Sequence, residues 1–521
     1  MPVHFFASTV SSTIPSEYWA TIAATCVAIS FLKTWSKGAK LLDPPPPPPA
    51  TSSSSSSPTP PPPSDKLFTD LHGRVVLVAT GAFTPLGVVT LSSLAHRGAQ
   101  IIALTPDISD PSVIQLVHLI RDSTQSELIY AEQCDVASLE SISAFAALWN
   151  SGDKKQQEGV RRLDGVLFLP PGRDDLGTVQ GSHPARADRV YQLHVLAKFH
   201  LINSLLSGLL VQPPEREVRI VSAMSPFYAA GVGHFDVLSS TSQPSPDREG
   251  GKKKAKQEEK SPQTQLQKLS ESSYSALIGA ASLRWYALTV ELQRRLDLLA
   301  EADPRPRTKL PGIDLNPNSV ATRFTTNGAS STAIQDEAAS RMKRHSNISV
   351  INVCPGFERS TDIIDTFLPP PSHPTSPNPI QSTIHLIRSI LRYILLLLIW
   401  PFVWLLAKSP ATAADSLVWA TTRSLEPLSE RYHRIISLLT KSNTGSGDQI
   451  RRWQDNLIPG EMYREGRIVR PQLPHRFGST RPADTNDTKV TDAWSDLWKH
   501  EEQEVERRIK ALGGQIKRPQ V

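Results

Sequence analysis

The sequence predicts an α/β protein built on a doubly wound parallel sheet, with disordered insertions and an N-terminal membrane anchor. Three observations predict it. The run RVVLVAT (74–80) is continuously apolar and β-branched, and a glycine-bearing turn, TGAFTPLG (80–87), follows it. A helix-like stretch, VVTLSSLAHRG, then ends at Gly98, and a second strand-like run, AQIIALT, begins at once. This alternation recurs toward the C-terminus. Strands buried on both faces read as unbroken apolar runs, and parallel pairing needs crossover helices, so the pattern means a sheet covered on both sides. The third observation is an uncharged segment, YWATIAATCVAISFL (18–32), placed ahead of a stretch of prolines and serines.

Composition narrows the function classes. At 521 residues, length alone suggests about three domains. Proline, with 44 residues, is well above the usual share of about 5%, and much of it lies in runs, so part of the chain is spacer. Lys plus Arg exceed Asp plus Glu by 56 − 50 = 6, with no basic stripe in the periodic regions, which excludes a nucleic-acid binder. Cys26, Cys134 and Cys354 are far apart and form no CxxC. That excludes a disulfide scaffold and a zinc finger, and it fits a reducing compartment.

The segment 18–32 is short for a bilayer span, which needs about 20 residues. Extended to residue 35, with Tyr18, Trp19 and Trp35 as interfacial anchors and Lys33 snorkelling, it becomes long enough. The first 17 residues hold no Lys or Arg, which argues against a secretory signal and a transit peptide. Lys33, Lys37 and Lys40 all follow the segment and place the rest of the chain in the cytosol, on the endoplasmic reticulum or the mitochondrial outer membrane. Residues 1–17 are then an N-terminal segment, 18–35 the anchor and 36–66 a Pro/Ser-rich linker. This linker reads as a polyproline II stalk, with an SH3 or WW ligand as the alternative. Residues 67–435 are the folded domain, and 436–521 a C-terminal extension with an amphipathic helix in TDAWSDLWKHEEQEVERRIKALGG.

Within the domain, the turn TGAFTPLG precedes a series of segments in a fixed order. They are YAEQCDVAS, LDGVLFLPPG, YQLHVLAKFHLINSLLSGLL, RIVSAMSPF, SSYSALIGAASLRWYALTVELQRRL, NISVINVCPGFERST and AKSPATAADSLVWATT. Together they resemble the short-chain dehydrogenase/reductase superfamily, whose fold is of Rossmann type, over roughly residues 72–435. The resemblance implies a cofactor, NAD or NADP, and assigns Thr80, Gly81 and Gly87 to its diphosphate turn, Asp135 to the adenine, and Gly172, Pro355 and Gly356 to strand ends around it. It also aligns Ser225 and Tyr274 with the catalytic serine and tyrosine. A fungal branch of unknown function is the nearest expectation.

The departures decide the expected chemistry. Pro85 replaces the middle glycine of the turn, removing an N–H and adding bulk. The family's active-site asparagine is His194. Its lysine, one helical turn past the tyrosine, is Ile278, which can neither donate a hydrogen bond nor lower the tyrosine pKa from about 10. Arg284, ten residues on, points elsewhere at 100° per residue. His194 with Lys198 one turn along is a candidate acid–base replacement. Asp107, after the second strand, is a candidate for the 2′-hydroxyl of NAD.

Two polar stretches, about 237–271 and 303–345, read as disordered insertions. Residues 393–407 (YILLLLIWPFVWLLA) are the most apolar in the chain. A transmembrane helix, a monotopic helix and a core helix are the alternatives. Because sheet elements are expected on both sides of it, a single crossing is inconsistent with the fold, and a lid dipping into one leaflet is favoured. The expectation is a membrane-tethered, catalytically degenerate NAD(P)-binding-type protein. Its alternatives are a working reductase of a lipophilic carbonyl compound and a scaffold that no longer binds nucleotide. Expected partners are membrane lipid, a lipophilic small molecule, and a protein bound through the linker or the C-terminal helix.

Overall fold

The structure is a computed structural model that describes residues 18–38, 41–42, 70–152, 161–172, 183–212, 216–236, 273–302, 346–359, 379–423, 457–478 and 488–511. The chain divides into two compact units, residues 1–40 with 356–413, and residues 41–355 with 414–521.

The larger unit contains one eight-stranded sheet. Its strands are β1 (Val75–Thr80), β2 (Gln100–Thr105), β3 (Ile129–Gln133), β4 (Gly165–Phe168), β5 (Val218–Ala223), β6 (Ile348–Cys354), β7 (Met462–Arg464) and β8 (Arg467–Val469). They lie in the order 3-2-1-4-5-6-7-8, and all pairs are parallel except the terminal β7–β8 hairpin. That hairpin turns through Glu465 and Gly466, both at positive φ (52° and 76°), as a two-residue turn matched to strand twist requires. The order reverses between β1 and β4. In such sheets a ligand crevice opens outside the carboxyl ends at that switch point.

Helices follow the strands. In chain order they are α1 (Tyr18–Lys37), α2 (Pro85–Ala95), α3 (Pro111–Thr124), α4 (Leu139–Ser151), α5 (His183–Tyr191), α6 (Ala197–Val211), α7 (Tyr274–Ala302), α8 (Pro379–Leu406), α9 (Pro410–Thr422) and α10 (Thr488–Ala511). The starts of α2, α3 and α4 are written in the sequence. Thr84, Asp110 and Ser138 each accept a hydrogen bond from an amide in the first turn, and α2 and α3 carry proline where no N–H is needed. Strands β5 and β6 are buried at every residue. Arg219 of β5 is itself buried and donates to the carbonyls of Ala420 (3.2 Å) and Thr421 (2.8 Å), satisfying groups that the end of α9 leaves open.

The helical stretch 187–211 is long and apolar enough to cross a membrane, yet 67% of it is buried in the unit, so it is a core helix. The sheet runs past residue 435, since β7 and β8 come from the segment assigned to the extension. The strand expected at SLEPLSERY lies outside the described residues, as do the expected insertions. Helix α10 buries Trp494, Leu497, Trp498, Val505 and Ile509 in the same apolar cluster as α4, α6 and α7.

In the smaller unit, α1 and α8 both present apolar surface. Residues 357–359 form a short parallel bridge with Lys408, and α8 continues through Pro401 without a break.

Candidate functional site

The turn at the switch point is built by chain–chain contact. Thr80 Oγ1 donates to the Leu169 carbonyl (2.6 Å), fastening β1 to the end of β4. Gly81 has φ +65°, and a Cβ there would stand 2.1 Å from the Pro170 carbonyl oxygen. A Cβ on Gly87 would stand 2.1 Å from the Gly81 carbonyl oxygen. Both glycines are therefore required by the backbone itself. Thr84 Oγ1 accepts from the Gly87 N–H (3.0 Å) and donates to the Gly81 carbonyl (2.7 Å). The Thr84 N–H is turned to the Gly81 carbonyl, and Pro85 has none. Among the described residues, the Leu86 N–H is the donor left open in this first turn. A helix start that normally offers an anion several amides here offers one.

The other positions implied for the cofactor serve local structure as well. Asp135 accepts from the Ala137 N–H (2.9 Å) and donates its own N–H to Ser141 Oγ (3.0 Å), which shapes the entry to α4. Asp107 accepts from the Ser109 N–H (2.8 Å) in the same manner. Gly172 is half-buried just past β4. After β6 comes Pro355, then Gly356 at φ +92°, a conformation that favours glycine.

Ser225 follows β5. Its N–H donates to Ser282 Oγ (3.3 Å), and its Oγ accepts from the Phe227 N–H (3.2 Å). Ser282 lies eight residues beyond Tyr274 on α7, about 12 Å along the axis. Tyr274 is the first residue of α7 and is half-buried against the core. The 3₁₀ turn Tyr228–His234 presses on α7, where Gly231 meets Gly279 and Ala280 so closely that a Cβ on Gly231 would stand 2.0 Å from the Ala280 nitrogen. Ile278, at the position of the family lysine, packs against the apolar cluster.

His194 and Lys198 are brought together. Between α5 and α6 the helix widens into a π-helical turn, Gln192–Leu196, a deformation frequent at functional sites. His194 sits in this turn with Nε2 enclosed and without a hydrogen-bond partner. Burial, and then the Lys198 charge, lower its pKa to about 3, so the ring is neutral at pH 7. Lys198 is buried, with Nζ 5.8 Å from the ring centroid of Phe168 and 5.7 Å from that of Trp285. Trp285 Nε1 in turn donates to Ser222 Oγ (2.6 Å) in β5. Burial pulls the Lys198 pKa down to about 7. Lys198 makes no hydrogen bond or ion pair among the described residues, so aromatic faces are what its cation meets.

Sequence reasoning missed a second polar group in this helical layer. Glu501 of α10 is fully buried and accepts from Arg284 Nε and from the Tyr191 hydroxyl. Burial favours its protonated form, but Arg284, then His500 and Tyr191, hold its pKa below the ordinary value. Arg284, excluded from the tyrosine by helical phase, is thus committed to Glu501. The only signal for this pairing was an unpaired arginine on an apolar helix.

No family model matches the chain. Over 159 residues it is 34% identical to a Saccharomyces cerevisiae protein named an uncharacterized oxidoreductase, a match covering 29% of this chain and 38% of that protein. Over 181 residues it is 31% identical to a Schizosaccharomyces pombe protein of the same description, covering 34% and 45%. The match thus spans less than half the length of these relatives. In sequence the chain is similar to these oxidoreductases over about a third of its length, and its ordered segments resemble those of the short-chain dehydrogenases. A solved short-chain dehydrogenase of Shigella flexneri is 15% identical to it, with a TM-score of 0.36 over 78% of this chain and 96% of that one. The doubly wound, mostly parallel sheet is present here, with the proline-bearing turn after its first strand.

Proposed function

We propose that this protein is a membrane-tethered, NAD(P)-binding-type member of the dehydrogenase fold whose hydride-transfer chemistry is lost or nearly lost. The observation that carries this reading is Ile278, one turn past Tyr274. When bound, a reduced nicotinamide supplies hydride to a carbonyl carbon, and the chain must then deliver a proton to the oxygen. Ile278 cannot supply the ammonium that the resemblance places one helical turn past Tyr274 for that proton transfer. The residues present fit a dinucleotide in part. Leu86 N–H, Asp135, Gly172 and the Pro355–Gly356 turn are the candidate contacts for NAD or NADP, while Pro85 withholds a donor. Helix α1 is the tether, in a membrane whose cytosolic face carries the sheet.

Lys198 favours a second reading, a working reductase of a lipophilic carbonyl compound. An amine with a pKa of about 7 is suited to exchange protons at neutral pH. Neutral His194 is not suited to act as the acid. The two readings separate in one experiment on the full chain in lipid nanodiscs, with NADH and NADPH titrated by tryptophan quenching and long-chain aldehyde turnover followed at 340 nm. Saturable binding without turnover is expected. Ile278→Lys should then raise turnover from background, since an ammonium about 4 Å from the phenol favours its anion by about 4 kcal/mol at an effective dielectric near 20. Robust wild-type turnover that survives Tyr274→Phe and collapses in Lys198→Met would establish the second reading instead.

A further inference from the structure

Helix α8 carries the most extended uncovered apolar surface among the described residues. Leu386–Leu406 is a stretch of 21 residues with mean hydropathy 2.1, and none of it is buried. Leu391, Leu397 and Phe402 are 63%, 78% and 63% exposed. A monomer rarely leaves such a surface in water. Arg388 and Arg392 lie at its start and the helix holds no acidic residue, so an anionic lipid surface suits it.

At about 1.5 Å per residue this stretch is long enough to cross a bilayer, but its ends oppose crossing. Lys408 N–H donates to the Phe357 carbonyl (2.7 Å), and Arg359 N–H donates to the Lys408 carbonyl (2.8 Å). The chain entering the excursion toward α8 and the chain leaving it are thus clasped side by side. If α8 crossed the membrane, residues 360–378 would have to cross back. That stretch carries Asp362 and Asp365 and five prolines, at 369, 370, 371, 374 and 377. Its sequence, with two acids and five prolines, lacks the unbroken apolar run that a crossing needs. The end of α1 meets the same place, where Lys33 lies 4.4 Å over the Trp404 ring and donates to the Trp404 carbonyl.

We propose that α8 lies within a single leaflet, with both of its ends on the face of the membrane where α1 emerges. It forms a second, independent lipid contact beside the α1 tether. This rests on the membrane-tethering part of the proposed function and extends it. The leaflet-lying helix ends at Leu406, two residues before Lys408, whose Nζ would stand 3.2 Å from a Cβ on Gly356.

The test uses the full chain in sealed phosphatidylcholine/phosphatidylserine vesicles. A Cys26→Ser, Ser382→Cys, Ala411→Cys variant is treated with a membrane-impermeant polymer maleimide before and after detergent. Before detergent, protein shifted twice, or not at all where both ends face the lumen, is expected, and singly shifted protein is not. Only singly shifted protein before detergent, doubly shifted after it, would mean a crossing helix and overturn the proposal. In a second arm, Val27→Glu, Ile29→Glu and Phe31→Glu disable α1 at exposed positions. At least half of this variant should still float with vesicles, and adding Leu391→Glu, Leu397→Glu and Phe402→Glu should cut flotation at least tenfold. Release by the α1 substitutions alone would refute the α8 contact, whereas failure of the wild type to float would refute the tether itself.

Discussion

Helices α5 to α7 bury two groups of ionisable side chains, and the groups are treated in opposite ways. Around Glu501, burial is matched by partners. Arg284 and Tyr191 take its two oxygens, His500 contacts Arg284 Nη2 at 3.3 Å, and the Phe235 carbonyl accepts from Arg284 Nη1 at 3.3 Å. Around Lys198, burial is met by two aromatic rings and by a histidine whose Nε2 has no partner. The first arrangement holds α10 onto the fold. The second costs stability and stands just inside the carboxyl edge of the sheet, beside β4 and β5. A desolvated cation that contributes nothing to folding is what a site for an anion or a proton would leave behind, and this is the ground for the second reading of Lys198.

The largest effect that would break this contrast is Glu501→Ala. Removing one partner of a buried pair strands the other charge, so the variant should lose about 3–5 kcal/mol in chemical denaturation. A loss below about 1 kcal/mol would place the pair in water and erase the distinction. Lys198→Met should move the other way, gaining about 1–4 kcal/mol at pH 7, because an apolar side chain of similar shape replaces an unpaired cation. Destabilisation by this substitution would reveal a partner for Lys198 and remove the argument for a site.

Titration sharpens the comparison. The folded-state pKa of Lys198, about 7, lies below its ordinary 10.5, so between these values the unfolded chain holds more protons. Wild-type stability should climb as pH rises from about 7 to 10.5, and that limb should vanish in Lys198→Met. His194 contributes a second limb, since its folded pKa of about 3 lies under the ordinary 6.5 and stability should fall as pH drops through that interval. Glu501, also held low, adds a loss of stability below about pH 4.5 that Glu501→Gln should abolish. The smallest effect is expected at the switch-point turn. Thr84→Ala removes the cap of α2 for about 1 kcal/mol and frees the Gly87 N–H, so nucleotide affinity measured alongside stability should rise or hold while the melting temperature drops.

Much of the fold was legible in the chain. Strands β1, β2, β5 and β6 are unbroken apolar runs, and the helix starts at 85, 111 and 139 are announced by Thr84–Pro85, Asp110–Pro111 and Ser138. These signals are local, fixed by backbone capping and by burial on both faces of a parallel sheet. The terminal strands β7 and β8 are three residues each and carry no period long enough to read, so the sheet extends beyond the boundary placed at 435. Loss of the family lysine at 278 was equally plain, because helical phase alone excludes Arg284 as its replacement. Only the tertiary structure decided where the buried charges go. Sequence spacing set His194 and Lys198 one turn apart, but the π-helical turn, the Phe168 and Trp285 rings and the pairing of Arg284 with Glu501, 217 residues away, depend on elements that meet only in the folded chain. The same holds for α8. Its apolarity is written in its residues, whereas the clasp between 357–359 and Lys408 is a long-range backbone contact, and that contact sets on which side of a membrane its ends must lie.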